Sequence, residues 1–167
     1  SSELDDSNWI ESAYGYPPLV IKTPEVLLRT DDYVFMVPGT EEIATFTAGK
    51  IESPLYVMVE SLTKNPENPP PLEAILDQSI DQLEKMGARN LLVKVDGFQI
   101  EDQAQGAKAH GRFNLESDPN AARNYELYVI DQPSAVYQVL VIYDDGDAKM
   151  ETIKERIIES IEFKVSK

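Results

Sequence analysis

At 167 residues, with 42% hydrophobic and 27% charged side chains, the chain has the size and composition of one globular domain, able to bury roughly 70% of its unfolded surface. Thirty acidic residues against 15 basic ones give a net charge of −15, which sets it against nucleic acid and against anionic membrane surfaces. There is no cysteine, so disulfides, thiolate nucleophiles and thiolate metal sites are excluded, and no apolar run approaches the ~20 residues that span a bilayer.

Residues 1–18 read as an N-terminal arm or linker, and 19–167 as the domain. The opening Ser1-Ser-Glu-Leu-Asp-Asp-Ser-Asn8 is short and polar. It suits the stub left by a removed signal or lipid anchor, and equally an ordinary terminus. Pro17 and Pro18 resist both helix and sheet. Short strand-like runs follow at Leu19–Lys22, Val26–Arg29 and Tyr33–Val37, then better strands at Ile43–Ala48 and Leu55–Leu62. In the last of these, Leu55, Val57 and Val59 share one face, while Tyr56, Met58 and Glu60 share the other.

Asn65-Pro-Glu-Asn-Pro-Pro-Pro71 is a rigid connector. It ends where Leu72, Ile75, Leu76, Ile80, Leu83 and Met86 form one helical stripe, closed by Gly87. Leu91–Val95 and Phe98–Glu101 around Asp96-Gly97 carry a two-residue hairpin signature. From Gly106 the alternation is strict: Ala107, Ala109, Gly111, Phe113 and Leu115 on one face, Lys108, His110, Arg112, Asn114 and Glu116 on the other. After a turn at Ser117-Asp-Pro-Asn120 come strands Arg123–Asp131 and Ala135–Tyr143. The second is apolar on both faces and so is central and covered twice. Met150, Ile153, Ile157 and Ile161 give a second helical stripe. Two helices that need a sheet, and a strand that needs two covers, predict an α/β class fold: a mainly antiparallel sheet sandwiched between helices in an α/β/α arrangement.

This order, with Gly106-Ala-Lys-Ala-His-Gly-Arg-Phe113, Tyr125–Tyr143 and Ile157–Phe163, resembles the PsbP/DcrB-like superfamily. The resemblance spans most of residues 20–165. It implies a small non-enzymatic α/β/α domain of the bacterial exported or lipid-anchored type, hence an extracytoplasmic location. It carries no catalytic residue over, because those proteins share none.

Lys108, His110 and Arg112 make a basic stripe that stands out in so acidic a chain. They read as strand-face residues paired with acids on neighbouring strands, or as a site for an anion or an acidic partner. His110 is the only histidine, and no Gly-x-Ser-x-Gly elbow accompanies it. Asp144, Asp145 and Asp147 around Gly146 resemble an oxygen-rich cation turn, but the distal glutamate of a calcium loop is missing. Turn chemistry and helix capping by Asp147 explain them as well. Trp9, Tyr14 and Tyr16 concentrate aromatic surface beside two prolines, as a docking peptide would, or as a segment folded back on a sheet edge would. Together these features favour a non-enzymatic binding or assembly protein with another protein as partner and no cofactor. A cytosolic acidic chaperone for a secreted effector, or a small hydrolase or ligand-binding domain, are the alternatives.

Overall fold

The computed structural model describes residues 8–31 and 37–164. Residues 1–7 of the expected arm, and all but the last residue of the strand-like run Tyr33–Val37, lie outside the described residues. In chain order the elements are β1 (Ile10–Tyr14), β2 (Leu19–Thr23), β3 (Leu28–Thr30), β4 (Thr40–Ala48), β5 (Leu55–Lys64), α1 (Leu72–Lys85), β6 (Ala88–Arg89), β7 (Lys94–Ile100), β8 (Ala104–Leu115), β9 (Asp118–Asp131), β10 (Ala135–Asp144), α2 (Ala148–Glu159) and β11 (Glu162–Phe163).

Eight strands form one antiparallel sheet in the order β3-β4-β5-β10-β9-β8-β6, with β7 also paired to β8. The doubly apolar strand β10 lies at its centre. Val136, Leu140 and Ile142 face one side, where they meet Ile75, Leu76 and Leu83 of α1. Tyr137, Val139 and Val141 face the other, where they meet Ile153 and Ile157 of α2. Of the small residues on β8, Ala109 is fully buried on the α1 side, whereas Gly111 is approached by the Leu92 carbonyl, which a Cβ there would meet at 1.9 Å. The Asp147 side chain accepts hydrogen bonds from the Lys149 and Met150 amides (3.1 and 3.2 Å) and so starts α2.

The α/β/α sandwich is overturned. Among the described residues, strands make up 52% and helices only 18%, and the large sheet curls into a half-barrel. Among the described residues each face receives one helix, and one helix cannot cover eight strands. The rest of the α2 face is closed by a second, three-stranded sheet, β1-β2-β11. Residues 10–23 supply two of those strands, and the first of them, β1, falls within the segment assigned to the arm. Tyr14 packs on Phe46 with ring centroids 4.5 Å apart, and the Tyr137 hydroxyl donates to the Pro17 carbonyl. Gly15, at φ 73°, sits so close that a Cβ there would lie 2.5 Å from the Tyr137 ring.

Two local expectations also change. Asp96-Gly97 is no turn: it lies inside β7, with Asp96 opposite Lys108 and Gly97 opposite Ala107. The chain reverses instead at residues 101–103, where Glu101 takes φ 42° and the Gln103 amide donates to the Ile100 carbonyl. The expected turn at Ser117–Asn120 is displaced as well, since β9 already begins at Asp118.

Candidate functional site

The basic stripe of β8 faces the α2 side, and each member has an acidic partner. Lys108 pairs with Glu126 of β9 (3.0 Å), His110 with Asp96 of β7 (3.0 Å) and Arg112 with Asp145 beyond β10 (2.9 Å). The stripe is therefore cross-strand pairing, and its Arg112 end reaches the aspartate turn. Asp144 is taken up by the buried Arg123, which also donates to the Ser53 carbonyl, and Asp145 accepts from the Asn124 amide at 2.9 Å. With Asp147 capping α2, each acid of that turn holds the fold together. Among the described residues no group of three or more His, Asp or Glu is placed to hold a metal ion.

Two buried acids escaped the sequence reading. Glu126 lies under α2 and accepts from Lys154, Lys108 and the Tyr128 hydroxyl. Burial works to raise its carboxyl, but those three donors outweigh burial and hold it below the usual carboxylate range. Burial likewise lowers Lys154, and Glu126 more than offsets it. Glu60 is the opposite case. It sits in β5 on the α1 face, where Thr45 Oγ1 and Gln138 Nε2 each donate to it at 2.8 Å, and Ser79 of α1 donates to Gln138. No cation offsets its burial, so its carboxyl is pushed up to about 7. A cavity of about 20 Å³ adjoins it between Met58, Leu83 and Leu140, room for about one water and not for a substrate. The signal was present in the alternation, because Glu60 shares its face with Tyr56, Met58 and Leu62.

The roomy concavity lies elsewhere. A groove of about 750 Å³ runs between β1–β2, the start of α2 and the β4–β5 turn, walled by Trp9, Pro24, Gly49, Leu55, Val57 and Met150. Glu25 is the one charged residue in its lining. A second concavity continues from Glu25, Ala48 and Gly49 along β3, past Arg29 and the aliphatic Val26 and Leu28. These two are 53% and 65% exposed, unusual for aliphatic side chains beside a cleft. The Arg156 guanidinium stacks on Trp9 at 4.5 Å from the ring centroid, which fixes the indole as a wall of the groove. Of the aromatic candidates, Trp9 reaches the groove, Tyr14 at the end of β1 is buried against Phe46 and Tyr16 stands 77% exposed at the hairpin tip. The structure thus does not bring the three together, and it sets all three apart from Lys108, His110 and Arg112.

Among the described residues, no helix is long and apolar enough to cross a membrane. No protein-family model and no curated protein matches the chain.

Proposed function

We propose that this protein is a non-enzymatic binding protein that docks an extended, apolar segment of a partner protein, bearing a basic residue, in the groove beside Trp9. The observation that supports this is the groove itself. It is continuous with the exposed Val26 and Leu28 and apolar for most of its length, with Glu25 where the two concavities meet and Arg29 farther along the second. A cleft of this size with a few placed polar groups is the usual form of a binding site. The residues with chemistry to offer support the same reading, because His110, Glu126 and Arg123 are each committed to a partner within the fold.

Trp9 is the sole tryptophan, so its emission reports directly on the groove. The probes are two short synthetic peptides, one alternating leucine and lysine, the other leucine and glutamate. The lysine peptide is expected to shift Trp9 emission in a saturable way and the glutamate peptide is not. Glu25→Lys should reverse that preference. A preference unmoved by Glu25→Lys, or no shift with either peptide, would sink the reading. For the catalytic alternative, a hydrolase screen of wild type against His110→Ala decides. A wild-type activity that falls by on the order of 10²–10⁴ in the variant would make His110 a general base and overturn the binding role.

A further inference from the structure

At the far edge of the large sheet from that groove, β7 pairs with β8 and, among the described residues, with no other strand. Its backbone orientation follows from two hydrogen bonds and the strand register. The Leu92 amide donates to the Arg112 carbonyl at 2.9 Å, and the Glu116 amide to the Gly87 carbonyl at 2.8 Å. Even-numbered residues of β8 therefore turn their backbone groups towards this edge. By register they meet Lys94, Asp96, Phe98 and Ile100. An antiparallel ladder alternates, so Val95, Gly97 and Gln99 present their N–H and C=O groups outward.

This edge is blunted only by its two charges, Lys94 and Asp96. Val93 and Val95 are 46% and 52% exposed, no proline interrupts the strand, and its charges are few. Those charges are also self-complementary. A two-fold axis through Val95, perpendicular to the sheet, sets Lys94 opposite Asp96 of a second copy, and Asp96 opposite that copy's Lys94. Val95 then faces Val95, and Val93 faces the uncrowded Gly97, beside which a Cβ would meet nothing within 4 Å. The outward groups of Val95 meet those of the second Val95, and those of Gly97 meet those of Val93, in hydrogen-bonded pairs. An axis through Asp96 instead would oppose two aspartates. We infer that the outer edge of β7 is a homodimer interface, in which two copies pair β7 to β7 antiparallel about Val95 with reciprocal Lys94–Asp96 contacts.

Such an interface is isologous and closes on itself, as a two-fold dimer requires. It joins two large sheets into one and leaves both grooves free.

Sedimentation velocity from micromolar to millimolar concentration tests the inference. Wild type should pass from monomer to dimer. Val95→Pro deletes the outward N–H while leaving the β7–β8 bonds, which use the even-numbered residues, so it should stay monomeric and folded. Lys94→Asp and Asp96→Lys each set like charges opposite one another and should weaken association on the order of tenfold. The double swap restores opposite charges and should recover it, although both it and Asp96→Lys lose the contact to His110. In amide exchange, Val93, Val95 and Gly97 should become protected only as concentration rises, whereas Lys94 and Asp96 are protected throughout. A chain that remains monomeric to millimolar concentration overturns the interface. So does a dimer indifferent to Val95→Pro, or a double swap no tighter than the single reversals.

Discussion

Glu60 and Glu126 are both carboxylates buried in the sheet, yet their environments drive them in opposite directions. Glu126 is met by two ammonium groups and stays ionised, whereas Glu60 is met only by a hydroxyl and an amide and favours its proton. The consequences for stability have opposite signs. Below the ordinary value of 4.5, Glu60 is protonated in both folded and unfolded chains and costs nothing. As pH rises from there to about 7, the unfolded chain releases the proton and the folded chain keeps it. Stability falls across that window by roughly 3 kcal/mol, then levels off. Glu126 contributes stability that is full above the unfolded carboxyl range and fades as pH falls through its lowered folded value. Glu60→Gln should therefore cancel most of the decline between pH 5 and pH 8 and make the protein more stable than wild type at pH 8. Urea unfolding of both proteins at the two pH values is the check, and parallel pH profiles would show that Glu60 is ionised in the folded state. Lys154→Ala should destabilise by about 3–5 kcal/mol at neutral pH, because the Glu126 charge is left under-compensated in the interior.

At the scale of elements, what could be read from the sequence is what is local. Both helices declare themselves by period: the stripe from Leu72 to Met86 becomes Leu72–Lys85, and the one from Met150 becomes Ala148–Glu159. The two-sided apolarity of β10 placed it at the centre, and the small face of β8 placed a helix on the side of Ala109. Misreadings arise where local chemistry permits two outcomes. Asp-Gly suits a tight turn, but Asp96 and Gly97 also fit an exposed edge strand, and the choice fell to the register with β8. Residues 10–14 look like an arm because their sheet partners, Leu19–Thr23, lie just beyond two prolines. The α/β/α reading failed for the same reason, since counting stripes counts helices but not the area they must cover. The groove was illegible because its walls come from three distant segments. Ala109→Leu tests the contact that was legible. Ala109 is fully buried beneath α1, so the larger side chain should overpack the interface and cost about 1–3 kcal/mol. An unfolding curve unchanged within error would mean that α1 stands off the sheet.

In the whole molecule, β10 is the common wall of two separate cores, and its neighbouring residues face opposite ways. Val139 lies in the core beneath α2, and Leu140 in the core beneath α1. It also joins distant parts of the chain, pairing with β5 on one side and β9 on the other. If either core is lost, β10 loses packing on one face, and the ladder that supports the other core loosens with it. The two cores should therefore unfold in one transition. Trp9 makes this measurable, since it sits against Arg156 on the α2 side only. Leu140→Ala removes side-chain volume from the other side, at a cost of about 2–5 kcal/mol. The midpoint seen by Trp9 fluorescence should nonetheless fall as far as the midpoint seen by far-ultraviolet circular dichroism. Val139→Ala, which removes fewer atoms from the α2 side, should lower both midpoints together by a smaller amount. A Leu140→Ala variant whose fluorescence transition stays at the wild-type midpoint while its circular dichroism transition moves would show two cores that unfold independently.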